Sequence, residues 1–177
     1  TKQSGSWTEL GPFSWQSTSY SPGLGRVNVI AEDPSNANIL YAGTPAGGLW
    51  KSTTGGSSWV PLTDDFSSIG ISGIVVDHSN TNTIYVSTGD GDGSDTYSIG
   101  VMKSVDGGVT WNTTGMVHTV SQSRTTSKLI MHPTNNQELL VATNGGLYKT
   151  IDGGANWNAV LGGAIKDIEY RLSLIHI

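Results

Sequence analysis

The stretch Lys103-Ser104-Val105-Asp106-Gly107-Gly108-Val109-Thr110-Trp111 returns as Lys149-Thr150-Ile151-Asp152-Gly153-Gly154-Ala155-Asn156-Trp157. A weaker copy, Lys51-Ser52-Thr53-Thr54-Gly55-Gly56-Ser57-Ser58-Trp59, precedes both and carries Thr54 in place of the acid. The pattern is that of a hairpin. A Gly pair takes positive φ at little steric cost and closes a tight turn. The carboxylate of Asp106 or Asp152 can accept backbone N–H groups that a turn would leave bare. The Trp covers the hairpin with a large ring and brings an N–H for a carbonyl. Ser52, Thr54, Gly56 and Trp59, with Ser104, Asp106, Gly108 and Trp111 and with Thr150, Asp152, Gly154 and Trp157, are therefore expected to build turns and not a reactive centre.

Around each hairpin the sequence repeats as a longer unit. Residues 27–62, 71–111 and 128–160 align with one another, and a further copy starts at Ala164-Ile165-Lys166-Asp167-Ile168-Glu169-Tyr170. Each unit reads as four short strands. An alternating first strand ends in the turn Asp33-Pro34-Ser35-Asn36, matched by Asp77-His78-Ser79-Asn80 and His132-Pro133-Thr134-Asn135, all turn formers. Second strands are expected at 39–43, 84–88 and 139–143, third strands at 49–52, 101–104 and 147–150, and fourth strands from each Trp. The tryptophans lie 52 and 46 residues apart. Four strands per period of that size is the pattern of propeller blades. The expected fold is all-β: a β-propeller fragment of about three four-stranded antiparallel blades with the start of a fourth. The partial propeller takes residues 1–171, with blades near 27–66, 70–115 and 126–162 and the next beginning at 164–171. Residues 172–177 are what CTG TCT CTT ATA CAC ATC encodes, which resembles the transposase end of sequencing-library adapters, so the hexapeptide is expected to be an artefact of assembly.

Composition agrees with this organisation. Charged residues make up 13% of the 177, Gly accounts for 24, and the formal net charge is −5. The 9 basic residues are scattered singly, against the clustered Lys and Arg that phosphate binding needs, so no nucleic-acid partner is expected. No apolar run reaches the length of a membrane span. Cys is absent, so no disulfide framework exists. Zinc spacing, a phosphate cradle and a supported Ser–His–acid order are all missing from the sequence.

In up-and-down blades, connections alternate between the two faces of the disc. The Gly-Gly hairpins share one face with the Asp33-type turns. The second-to-third strand loops share the other with the linkers between blades, and loop variation is tolerated there. That second face holds one insertion, Gly89-Asp90-Gly91-Asp92-Gly93-Ser94-Asp95-Thr96-Tyr97-Ser98-Ile99. Asp90, Asp92 and Asp95 among flexible glycines suit a calcium loop, and equally a solvated acidic turn. The linker carrying Trp15 and Tyr20, together with Tyr97, offers either a platform for a carbohydrate or peptide or a cover for the blade edge. Arg26 either faces the central channel or pairs with a nearby carboxylate or carbonyl.

The recurring Ser/Thr-x-Asp-x-Gly-x-x-Trp motif resembles the Asp-box, or BNR, repeat of sortilin-type receptors, sialidases, xyloglucanase-type glycoside hydrolases and photosystem II assembly factors. The likeness extends from about Trp7 to Tyr170 and is nearest to large secreted bacterial repeat proteins labelled sortilin-like or glycosyl-hydrolase-like. It implies a secreted or cell-surface protein whose ring is completed by further blades. In xyloglucanase-type enzymes a catalytic Asp follows the Thr of a Thr-Asp-x-Gly-Gly stretch; here that stretch reads Thr44-Pro45-Ala46-Gly47-Gly48, with Pro45 in place of the acid. The resemblance thus implies a glycan- or protein-binding scaffold with no catalytic site in this fragment. The alternative is a fragment of a xyloglucanase-like glycoside hydrolase whose catalytic carboxylates lie outside this chain.

Overall fold

The computed structural model describes residues 25–170, which hold twelve strands and a single 3-10 turn at Val120–Gln122. The strands form three antiparallel sheets of four, each in simple sequential order. The first sheet is β1 (Val29–Asp33), β2 (Asn36–Gly43), β3 (Leu49–Ser52) and β4 (Val60–Pro61). The second is β5 (Ile71–Val76), β6 (Ile84–Thr88), β7 (Gly100–Ser104) and β8 (Asn112–Val117). The third is β9 (Thr126–His132), β10 (Asn135–Thr143), β11 (Gly146–Thr150) and β12 (Asn158–Gly162).

Successive side chains of a strand point to opposite faces. Ile84 and Val86 of β6 therefore join Tyr41, Leu49, Ile71, Ile74 and Met102 in a core between the first and second sheets. Tyr85, between them in sequence, joins Val101, Met116, Leu129, Leu139 and Val141 in a core between the second and third. The middle sheet is covered on both sides, and every residue of β6 is buried. Each large apolar side chain so covered contributes about 2 kcal/mol. Packing between sheets runs through their first strands, β1 on β5 and β5 on β9. The approach is close: a Cβ on Gly73 would lie 2.6 Å from Ser87 Oγ and 2.7 Å from Leu129 Cβ, so β5 and β9 meet only because residue 73 has no side chain.

Each first strand begins on the end of the preceding sheet. The Ile71 N–H donates to the Thr44 carbonyl at 2.9 Å, the Thr126 hydroxyl to the Thr88 carbonyl at 2.7 Å, and the Ile165 N–H to the Thr143 carbonyl at 3.0 Å. Ile165 thus stands where the further copy of the repeat places it. Residues 164–170 nevertheless form no strand, because no second strand is there to pair with them among the described residues. The fourth strand of the first sheet is shorter than its Trp59 start suggests, two residues only. Pro61 lacks the N–H that would extend the ladder.

The hairpins form as the motif requires. Gly107 and Gly108 take φ of 75° and 94°. Asp106 Oδ1 accepts the N–H groups of Val109 at 3.0 Å and Thr110 at 2.9 Å, and Oδ2 accepts the Thr110 hydroxyl at 2.5 Å. Ser104 Oγ donates to Asp106 and accepts the Gly108 N–H at 2.9 Å. Asp152 holds Asn156 and Thr150 in the same way. In the acid-free copy the Thr54 hydroxyl accepts the Ser58 N–H at 2.9 Å, so a neutral oxygen performs the same task. The Nε1–H groups of Trp59 and Trp111 cap the Gly56 and Gly108 carbonyls, whereas that of Trp157 reaches Thr114 of the neighbouring sheet.

The N–H groups of Gly55, Gly107 and Gly153 each donate to the start of β2, β6 or β10, all at 2.9 Å. The hairpins therefore sit on the same face as the Asp33-type turns. The hairpins also tie one sheet to the next. Lys51 Nζ lies 5.4 Å from the centre of the Tyr41 ring and donates to the Gly107 carbonyl at 2.9 Å. Lys103 lies 5.0 Å from the Tyr85 ring, and both Lys103 and the Tyr85 hydroxyl donate to the Gly153 carbonyl.

The Thr110 hydroxyl and N–H and the Ser104 hydroxyl hold the Asp106 carboxyl down to about 2; the Asn156 N–H and side chain and the Thr150 hydroxyl do the same for Asp152. An unfolded Asp titrates near 3.9, so these groups stabilise the fold fully above about pH 4, and the contribution disappears as pH falls through about 2. The thermal midpoint is expected to fall between about pH 4 and pH 2, and to fall less steeply in the Asp106→Asn/Asp152→Asn variant. Equal steepness in both proteins, measured by circular dichroism, would show that the hairpin acids are not responsible.

Candidate functional site

On the face opposite the hairpins, the β6–β7 loop, residues 89–99, organises the surroundings. Its hub is Asp90, whose side chain is 0% exposed. Asp90 Oδ2 accepts Arg26 Nη2 at 2.6 Å and the N–H groups of Gly93 at 3.0 Å and Asp95 at 3.1 Å. Oδ1 accepts the Asp92 N–H and Asn28 Nδ2, both at 3.3 Å. Burial alone would raise this carboxyl. The N–H groups of Asp95 and Asp92 and the Arg26 guanidinium outweigh it and hold the group below the usual carboxylate range. The loop is fastened from outside as well. The Thr96 hydroxyl donates to the Pro45 carbonyl at 2.8 Å, Ser98 N–H to the Arg124 carbonyl at 2.6 Å, and Lys166 Nζ to the Gly91 carbonyl at 2.5 Å.

Arg26, Asp90, Asp92 and Asp95 come together. The partner of the three carboxylates is the Arg26 guanidinium, which also meets Asp92 at 2.9 Å and Asp95 at 3.2 Å. Among the described residues no group of three His, Cys, Asp or Glu side chains is arranged to hold a metal ion. In this structure a protein cation, reaching across from residue 26, takes the central place among Asp90, Asp92 and Asp95. Tyr97 lies on the same loop, 37% exposed, with its carbonyl bound by Ser68 Oγ, but away from the cavity beside Arg26. Trp15 and Tyr20, and the hexapeptide 172–177, lie outside the described residues.

That cavity, about 320 Å³, is lined by Arg26, Val27, Asn28, Ser72, Asp90, Gly91, Asp92, Ser127 and Lys166. Asn28, Ser72, Ser127 and Lys166 occupy one repeat position. Strand register is displaced at residue 72 between the pairs Ile71↔Thr88 and Gly73↔Ser87, and at residue 127 between Thr126↔Thr143 and Lys128↔Ala142. Such bulges re-aim a side chain. Asn28 precedes Val29, which pairs with Gly43 as Gly73 pairs with Ser87, and Lys166 follows Ile165, the counterpart of Ile71. Sequence reasoning overlooked this set. Its signal was a polar residue recurring beside apolar ones in Val27-Asn28-Val29, Ile71-Ser72-Gly73 and Ile165-Lys166. A second cavity, about 260 Å³ and nearly all apolar, adjoins the first across Arg26 and Val27 and is walled by Thr44, Pro45, Gly47 and Trp50. Trp50, also overlooked, is fixed by an Nε1–H bond to the Gly47 carbonyl at 2.6 Å.

No protein-family model matches the chain. It is 27% identical over 145 residues to a xyloglucanase from a Paenibacillus species, covering 76% of this chain and 14% of that protein. It is 34% identical over 112 residues to the xyloglucanase Xgh74A of Acetivibrio thermocellus, covering 51% of this chain and 13% of the relative. The chain therefore spans under a sixth of these curated relatives. Among solved structures, an ancestral GH74 enzyme superposes with a TM-score of 0.65 at 26% identity, over 77% of this chain and 18% of that one. These sheets are propeller blades. The GH74 xyloglucanase of Xanthomonas campestris, with a TM-score of 0.59 at 22% identity over 76% of this chain and 20% of that one, shares the fold. In this chain the blades form an open arc, with the first and third sheets at its two ends.

Removing the hub carboxylate would take away the acceptor shared by Arg26 Nη2 and the N–H groups of Gly93 and Asp95, leaving Arg26 only Asp92 and Asp95. Asp90→Ala is expected to cost about 2 kcal/mol in urea unfolding, from loss of the charge-assisted hydrogen bonds that the buried carboxylate makes to the loop. Asp92→Ala, at a side chain 84% exposed, is expected to change stability by less than about 0.5 kcal/mol. Equal effects from the two would show that Asp90 is not the hub.

Proposed function

We propose that this chain is a sector of an extracellular, glycoside-hydrolase-related propeller acting on a β-glucan of the xyloglucan class, with its bond-cleaving carboxylates outside residues 25–170. The observation that carries this reading is the similarity to two xyloglucanases together with the matching blade architecture. Seven carboxyls of these residues are unsuited to the role of general acid. A glycosidase needs one carboxylic acid kept protonated near neutral pH, opposite a second, ionised one. Asp33, Asp77, Asp90, Asp106, Glu138, Asp152 and Asp167 are all held below the usual range, the opposite direction. Hydrogen-bond donors or Lys and Arg partners fix each as an anion. Pro45 stands where the resemblance places a catalytic Asp.

Pro45 also favours a second reading, a propeller that binds glycan or protein as a scaffold and cleaves nothing. The described residues contain no helix long and apolar enough to cross a membrane. Both readings place the interacting surface on the β6–β7 loop face. They part on turnover. The intact protein, incubated with xyloglucan and with mixed-linkage glucan, is expected to release reducing ends, at a rate unchanged by Asp106→Asn. Retained polysaccharide binding without any release on either polymer would establish the scaffold in its place.

A further inference from the structure

We propose that the two adjoining cavities on the β6–β7 loop face are consecutive subsites for a neutral sugar chain, Trp50 stacking one pyranose and Arg26, Asp92 and Lys166 binding the hydroxyls of the next. The inference rests on the glycan-directed reading above and adds where a chain lies and which charge class is accepted. A pyranose is amphipathic, with C–H faces and hydroxyl edges, and the site is divided the same way. The smaller cavity is almost wholly apolar, with the Trp50 ring in its wall and the indole held in place through its own N–H. The larger one is lined by donors and acceptors from five separate segments of the chain. Arg26 belongs to both, so they form one continuous track.

The polar cavity is preorganised before any ligand arrives. Fully buried Asp90 fixes the guanidinium at 2.6 Å, and Lys166 is anchored on the Gly91 carbonyl at 2.5 Å. The bulged positions turn Ser72 and Ser127 toward the same space. Holding donors still lowers the ordering cost of binding. Charge then sets the class of ligand. Arg26 pairs with Asp90, Asp92 and Asp95, and Lys166 shares the cavity with the first two, so the two cations stand against three carboxylates and one negative charge remains. A neutral polyol finds donors and acceptors alternating. A uronate chain meets like charge, which weakens or abolishes its binding.

The test uses the intact protein and isothermal titration calorimetry with cellotetraose, a xyloglucan heptasaccharide and a polygalacturonate oligomer. The neutral probes are expected to bind and the uronate not. Trp50→Ala is expected to weaken neutral binding about tenfold through loss of the stacked ring, and Lys166→Ala severalfold, each with an unchanged melting temperature. Trp50→Phe, which keeps a ring, is expected to retain most of the affinity and guards against a misfolded Trp50→Ala. Uronate binding as strong as glucan binding, or neutral binding indifferent to both Trp50→Ala and Lys166→Ala, overturns the proposal. If hydrolysis persists while these variants bind normally, the subsites are wrong and the enzyme reading stands. If the variants lose binding in a protein that never hydrolyses, the reverse holds.

Discussion

A four-stranded sheet with apolar side chains on both faces cannot be stable alone, and the whole arc follows from that constraint. Ile84 and Val86 need the first sheet and Tyr85 needs the third. The middle blade is thus held by neighbours on two sides, in the nearest-neighbour manner of repeat architectures. Gly73 sets how tightly this can be done, because any side chain there would drive β5 away from β9. Close inner packing and wider spacing outward give the sheets their radial arrangement.

Directional bonds fix what the hydrophobic contacts leave loose. Apolar burial is proportional to area and tolerates sliding of one sheet over another. The Lys51 and Lys103 ammonium groups, each over a Tyr ring of its own blade, reach the Gly107 and Gly153 carbonyls of the next. Those carbonyls are presented by the Gly-Gly hairpin, so the turn motif serves its own blade and locks the one before it. Blade three shows the rule by contrast. Leu140 takes the place of the Tyr, and Lys149 pairs with Glu138 of its own sheet at 2.7 Å.

The opposite face has a different logic. An inserted loop rich in Gly and Asp is costly to order. Here its order comes from Asp90, which gathers Arg26 and three loop N–H groups. The same bonds leave a firm, polar cavity at the inner edge of the arc, beside an apolar one walled by Trp50. Stability of the loop and readiness of the site are one arrangement.

The recurring hairpin made blade number, strand order and the assignment of Asp106 and Asp152 to turns legible from sequence. Glycine pairs, turn acids and period-two alternation are local, and local chemistry repeats wherever the motif does. Tertiary structure alone decided the rest. Asp90, Asp92 and Asp95 read locally as an acidic loop, and only the folded chain sets the Arg26 guanidinium among them, more than sixty residues away in sequence. Asn28, Ser72, Ser127 and Lys166 look unrelated along the chain and line one cavity because bulges and sheet-to-sheet packing bring a shared repeat position to a shared place. Short-range patterns determine the elements. Only the closing of distant segments against one another determines which charges meet.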